Sequence, residues 1–449
     1  MKRWREIGEP GGGGAALAPA AALAATELAV PGLLGLLALV AATVGSVALL
    51  GPWLGIDPPT PVLVVIAVGA VAVHRVPERA LEITALAGAV ALAAANPPYA
   101  LFHSTLVGLL FLARRGTVGL ATLLSLLAIW LPKHLFSTQY HVRAAYNWIN
   151  EPSLALVLFV TACWWRARRD GRLAPAGETA PPLAWAVMYL FPGHVLNPMV
   201  FSPGDVFRRR SLQLRGLAVS LLLIAVKGAV HLAIGRSPFL GQLSYGALDV
   251  AHLAALSRAE LWLVVAVGYV DLVLILSGTA DVAVLLARLY GWPMPSPFRY
   301  ALLAWNPAEL WRRWGIYNRK VLLALVYFPL GGGHRHRARN IMLTFLASAL
   351  LLHSGWFGSK YWEVGPGGWR DQTVYFLLQG LLVCGCLLVR DLRGVGRAAD
   401  DHTLRLSWSR AAGTAATQAA SALVHVIVLA RALPFGDRFE MIARCLGLR

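Results

Sequence analysis

Apolar blocks separated by short basic stretches set the pattern of this chain. The blocks run from Leu33 to Leu54, Val62 to Val73, Ala80 to Ala95, Leu101 to Leu112, Val118 to Leu131, Leu154 to Trp165, Leu217 to Leu232, Leu261 to Leu289, Val321 to Leu330, Ile341 to Leu352, Val374 to Val389 and Ala415 to Ala430. A helix needs roughly 20 apolar residues to cross a bilayer core, and several blocks reach or approach that length. The shorter ones fit re-entrant helices or helices extended by polar flanks. The pattern predicts an all-α polytopic membrane protein with roughly 10–12 transmembrane or re-entrant helices and short interfacial helices.

Composition sharpens that expectation. Hydrophobic residues make up 57% of the 449 positions and charged ones only 14%, with a mean hydropathy of +0.61. The net charge of +18 sits in the stretches between blocks, such as Arg114-Arg115, Arg166 to Arg172, Arg208 to Arg210, Arg312 to Lys320 and Arg335 to Arg339. Loops of that kind stay cytoplasmic beside anionic lipid headgroups, so topology explains the charge and no nucleic-acid partner is expected. The protein is therefore expected to be a multi-pass protein of the cell membrane.

Five regions follow from these shifts: a cytoplasmic leader at 1–30, a set of N-terminal membrane helices at 31–165, a cytoplasmic linker at 166–182 rich in Arg, Gly, Ala and Pro, a core at 183–390, and a C-terminal loop with a last membrane helix at 391–449. The leader lacks a cleavage site after its first apolar stretch and reads as a retained anchor. Cys384-Gly385-Cys386 turns its two thiols to different faces of a helix, so no metal site is expected.

His353 closes the apolar run that begins at Ile341, and an imidazole at bilayer depth needs a partner or a task. Upstream, Asn306-Pro307-Ala308-Glu309 has the form of a helix start, with Asn as cap, Pro at the first position and Glu able to reach back to the cap. On that helix Trp311 and Trp314 share a face while Arg312 and Arg313 look elsewhere, as in an interfacial helix. His194, within Phe191-Pro192-Gly193-His194, falls in what reads as a broken helix, a form tolerated where backbone lines a cavity. Asp271 and Asp281 share one apolar run as ion-pathway carboxylates, with Asp281 alternatively the partner of an arginine or a helix end. Lys227 and His231 share a helix face, with Lys227 placed to snorkel. For His425 and the other histidines the sequence offers only loop or packing roles.

The order of these pieces resembles the membrane-bound O-acyltransferase family, and its bacterial branch that modifies cell-surface polysaccharides. The resemblance rests on Trp311-Arg312-Arg313-Trp314, Pro329-Leu330-Gly331-Gly332, Arg339-Asn340 and His353, with Ser277-Gly278-Thr279-Ala280-Asp281 and Phe191-Pro192 upstream. It spans about residues 185 to 380. Two positions depart from the family pattern: Gly315 stands where the bacterial branch has a second histidine, and Ile275 where an aspartate is common. Asn318 is the candidate for the second polar role.

The resemblance implies a membrane-embedded O-acyltransferase. It would move an acyl group from a cytoplasmic thioester, acyl-coenzyme A or an acyl-carrier arm, to a hydroxyl of a saccharide or lipid acceptor, without a tightly bound cofactor. His353 would be the general base and Asn318 its companion, with Trp311, Trp314, Tyr317, Arg313 and His194 touching substrate. A second, extracytoplasmic protein is the further partner it implies. Two other classes share these residues: a carrier or flippase using the same passage, and an ion-coupled transporter using Asp271 and Asp281.

Overall fold

The fold is that of a computed structural model, which describes residues 32–54, 60–76, 212, 214–237, 250–291, 296–316, 319, 322–353, 368–393, 407–430 and 433–448, with isolated positions between 79 and 90. The leader, the apolar runs from Leu101 to Trp165, the linker, His194, Tyr317 and Asn318 lie outside the described residues.

The protein is an all-α polytopic membrane protein. Among the described residues five helices are long and apolar enough to cross a bilayer. They are α1 (Leu33–Leu50), continued by a 3-10 turn at Gly51–Leu54; α3 (Leu214–Arg236); α5 (Arg258–Leu289); α8 (Gly368–Leu392); and α9 (Trp408–Leu429). Shorter helices are α2 (Thr60–Arg75), α4 (Val250–Ala255), α6 (Pro307–Arg313), α7 (Arg337–Ala347) and α10 (Phe435–Leu446).

Local chemistry fixes several helix starts. At α5, Ser257 Oγ accepts from the Glu260 N–H, and the Glu260 carboxylate accepts from the Ser257 N–H at 2.7 Å, a reciprocal capping box. Ser407 Oγ caps α9 by accepting from Arg410 N–H. With 32 residues, α5 is about 48 Å long at about 1.5 Å per residue, so its ends project past the apolar layer.

α3 and α5 run antiparallel and meet along a seam of polar contacts. Arg288 donates to Ser220 Oγ and to the Gly216 carbonyl, both at 2.7 Å. Lys227 Nζ reaches Asp281 at 2.5 Å, and His231 Nδ1 lies 2.6 Å from Asp271 Oδ1. The two carboxylates considered as ion-pathway groups are thus both engaged by α3. Lys227 does not snorkel to an interface, because a carboxylate on the neighbouring helix captures its ammonium; that carboxylate finds a lysine where the sequence pointed to an arginine or a helix end.

Two further elements show what the apolar pattern left open. Within the short apolar run at 321–330, Leu323–Tyr327 forms a π-helical turn and the chain then turns at Phe328–His334. After the last membrane helix the chain adds α10, an amphipathic helix docked on α5 and α9. Arg438 reaches in from it, donating to Asp371 of α8 at 2.6 Å and to the carbonyls of Ile427 and Leu433. The core of this half joins α5, α9 and α10 through Leu261, Val264, Val265, Tyr269, Val426 and Met441.

Candidate functional site

The short helix α6 starts as its sequence dictates. Asn306 Oδ1 accepts from the Glu309 N–H at 2.8 Å, with Pro307 at the first position. Glu309 reaches back one residue further than the cap, accepting from the Trp305 N–H at 3.1 Å. Its other oxygen takes Arg313 Nε at 2.9 Å and a second guanidinium nitrogen at 2.5 Å. Arg313, a candidate for substrate contact, is therefore closed into a largely buried pair one helical turn long. Arg312 is the exposed member of the motif.

The short helix packs its tryptophan face against α8 and α9. Trp311 meets Phe345 edge-on at 5.1 Å and Phe376 at 5.8 Å, and its indole N–H donates to Gln379 Oε1 at 3.2 Å. Trp314 ends the helix in extended backbone, with its ring 6.4 Å from Trp311 and 5.9 Å from the imidazole of His425. The indoles share a face as the spacing predicts, and that face is turned inward.

Behind it lies a buried polar network that the sequence reading did not single out. Gln379 Nε2 donates to Ser421 Oγ at 3.2 Å, His425 Nδ1 lies 2.6 Å from the Ser421 carbonyl, and Tyr375 Oη lies 2.7 Å from His425 Nε2. A carbonyl only accepts, so Nδ1 carries the proton; in the neutral ring Nε2 then accepts from the Tyr375 hydroxyl. Tyr269 of α5 donates to Gln418, whose amide donates to the carbonyls of Ala301 and Ala304 beside α6. The signal was in the sequence as spacing: Thr417, Ser421 and His425 recur every four residues on α9, as do Asp371, Tyr375 and Gln379 on α8, and all six are buried. Each set forms one helix face, and antiparallel packing brings the two faces together.

The Pro-Leu-Gly-Gly and Arg-Asn elements form one structural unit. Buried Asn340 aims its amide nitrogen at the carbonyls of Leu330, Gly332 and Arg335, at 3.0, 2.9 and 2.8 Å. The turn it closes passes through Gly331 at φ 100° and Gly332 at φ 61°, conformations that suit glycine, and His336 at φ 48°. α7 follows, then a π-helical segment, Ser348–His353, whose last residue is His353. Ala349 in that segment belongs to one buried cluster with Tyr375, Phe376, Ile427 and Val428, against which Trp311 and Phe345 also pack. Widened helical turns of this kind are frequent at functional sites. The structure thus brings the backbone run ending at His353, the Trp311 face and the Tyr375–His425 pair to one end of the α8–α9 pair; Asn318, Tyr317 and His194 lie outside the described residues.

No model of a protein family matches the chain. Short stretches resemble two bacterial proteins. One, from Pseudomonas putida, bears the name probable alginate O-acetylase AlgI and is 28% identical over 99 residues, 21% of this chain and 19% of that protein. The other is a peptidoglycan O-acetyltransferase of Helicobacter pylori, 31% identical over 83 residues, 18% of this chain and 16% of that protein. Each aligned stretch spans under a fifth of its relative's length, and what it establishes is a partial likeness to O-acyltransferases.

Proposed function

We propose that the protein is a membrane-embedded O-acyltransferase of the cell membrane, moving an acyl group from a cytoplasmic thioester to a hydroxyl of a saccharide or lipid acceptor. The observation that supports this most is the meeting of the Trp311 helix and the segment ending at His353 on one buried cluster, in a chain partly like two O-acetyltransferases.

The chemistry asks for a base, a stabilised oxyanion and a site away from bulk water. His353 takes the proton of the acceptor hydroxyl as its oxygen attacks the thioester carbonyl. Asn318 is the candidate donor to the resulting oxyanion. Collapse of the tetrahedral species breaks the carbon–sulfur bond, leaves the carbon–oxygen bond in place, and passes the proton from His353 to the departing thiolate. Trp311, Trp314 and Tyr317 supply the apolar and aromatic contacts to substrate, and His194 lines the passage. Arg313 serves by holding Glu309 and the start of α6. The donor is acyl-coenzyme A or an acyl-carrier arm, and an extracytoplasmic protein receives or presents the acceptor.

The test is transfer of label from radiolabelled acetyl-coenzyme A to envelope saccharide or lipid by membranes containing the protein. Transfer by the parent and its loss in His353→Ala, at equal protein level, is the expected result. Undiminished transfer by His353→Ala overturns the assignment of the base, and movement of acceptor without transfer replaces the enzyme by a carrier.

A further inference from the structure

A phenol and an imidazole buried between two membrane helices are costly filler. Phenylalanine and leucine would occupy the space of Tyr375 and His425 without removing polar groups from water. What the polar pair adds is direction. Two runs of hydrogen bonds with fixed donors meet at Ser421: Trp311 to Gln379 to the Ser421 hydroxyl, and Tyr375 to His425 to the Ser421 carbonyl. The Trp311 indole is held at the start of the first run. The Trp314 ring rests against the imidazole in the middle of the second, at 5.9 Å and tilted by 47°. Tyr375, at the start of the second, stands edge-on to the same imidazole at 4.7 Å and to Phe376 at 4.9 Å. Phe376 in turn packs on Trp311, and both belong with Ala349 to the cluster beneath the segment that ends at His353.

Resting on the acyl-transfer reading above, we propose that Tyr375 and His425 are a positioning couple that fixes the Trp311–Trp314 face as the seat of the donor's uncharged acyl-pantetheine arm. The face suits such a ligand. It is aromatic, and Glu309 and Arg313 on the same helix are ion-paired to each other. Indoles free to rotate would offer the same area with the orientation lost, and affinity for the arm would fall with it. The couple acts through one bond, so deleting either end has the same consequence as deleting both.

The experiment measures KM and kcat for acetyl-coenzyme A in nanodiscs, per mole of monodisperse protein, for the parent, Tyr375→Phe, His425→Leu, the double variant and His425→Gln. Loss of positioned binding raises KM by about tenfold with kcat held within about twofold. The double variant matches either single one, because the two residues share one interaction. His425→Gln, whose amide oxygen can accept from Tyr375, lies closer to the parent than His425→Leu does. An active parent whose variants keep the parental KM, losing only thermal stability, makes the couple a structural fixture and overturns the proposal while leaving the enzyme intact. Additive effects, or a fall in kcat at constant KM, overturn it too. A parent without transfer sinks the enzymatic reading and the couple's role together.

Discussion

Lys227 and Asp281 meet across the α3–α5 seam at 2.5 Å, with the carboxylate side chain 3% exposed and the lysine 20%. Ser296 adds a weaker contact at 3.3 Å to the other carboxylate oxygen. Removing one member of such a pair leaves a charge with nothing comparable to balance it, at a cost of about 3–5 kcal/mol, whereas replacing both with apolar residues of similar volume is often close to neutral. Lys227→Met is therefore expected to lower the melting temperature in detergent markedly, and Lys227→Met with Asp281→Leu to recover most of the loss. Equal destabilisation by the single and double variants would show that the seam depends on shape and not on the ion pair.

Asn340 controls a turn by donation alone. One amide nitrogen carries two hydrogens and faces three carbonyls, so at least one hydrogen is shared. Asn340→Asp keeps the size and removes the donors, which leaves those carbonyls facing a group that only accepts, a loss of roughly 1–3 kcal/mol. The turn should open. Trypsin is expected to cut after the exposed Arg335 faster in the variant than in the parent, with cleavage elsewhere unchanged; equal rates would show that the glycines hold the turn unaided.

Much of this architecture was legible along the chain, and the rest was hidden by tertiary register. The start of α6 could be read from Asn306, Pro307 and Glu309 because capping is local chemistry. The shared face of Trp311 and Trp314 followed from a spacing of three, but whether that face met lipid or protein did not. Lys227 looked like a snorkelling residue because its partner lies 54 positions away. His425 looked like packing for a related reason. Its stripe with Ser421 and Thr417 is visible on one helix, yet only the antiparallel meeting with Tyr375 and Gln379 gives the stripe a purpose. Asn340 was recognisable as part of a motif, while its task depends on backbone angles at Gly331, Gly332 and His336 that no spacing announces.

Close approach makes Gly413 a sensitive position. A Cβ there would stand 2.7 Å from the backbone oxygen of Trp305, the residue whose N–H bonds Glu309 at the start of α6. At Gly278 the same addition meets only the ends of Leu54, at 2.7 and 2.9 Å, and a leucine can change rotamer. Gly413→Ala is expected to destabilise by about 1–3 kcal/mol as an overpacked contact and to disturb the Trp311 fluorescence environment. Gly278→Ala should cost less. Gly385, with nothing within 4 Å, serves as the control, since alanine there gains helix propensity without a clash. A ranking by thermal melt that places Gly278→Ala below Gly413→Ala would contradict the backbone contact.

Cys445 reports whether the end of α10 is docked. Its carbonyl accepts from Trp262 Nε1 and Arg258 Nε, both at 2.9 Å, and its side chain is fully buried. Burial pushes the thiol above its ordinary range, outweighing the nearby guanidinium groups of Arg258 and Arg444. As pH rises, the unfolded thiol ionises first, so this group weakens the folded state from the ordinary thiol range upward and leaves it untouched below. In a variant whose other cysteines are serine, maleimide at mildly alkaline pH is expected to label the native protein at least about tenfold more slowly than the unfolded one. Arg258→Met removes a cation that favours the thiolate, which alone would slow labelling, but it also releases one of the two bonds on the Cys445 carbonyl that help hold the helix end. Access outweighs ionisation here, because a buried sulfur cannot react in either protonation state, and labelling should therefore accelerate. Native labelling as fast as that of the unfolded chain would mean that α10 is not held against α5.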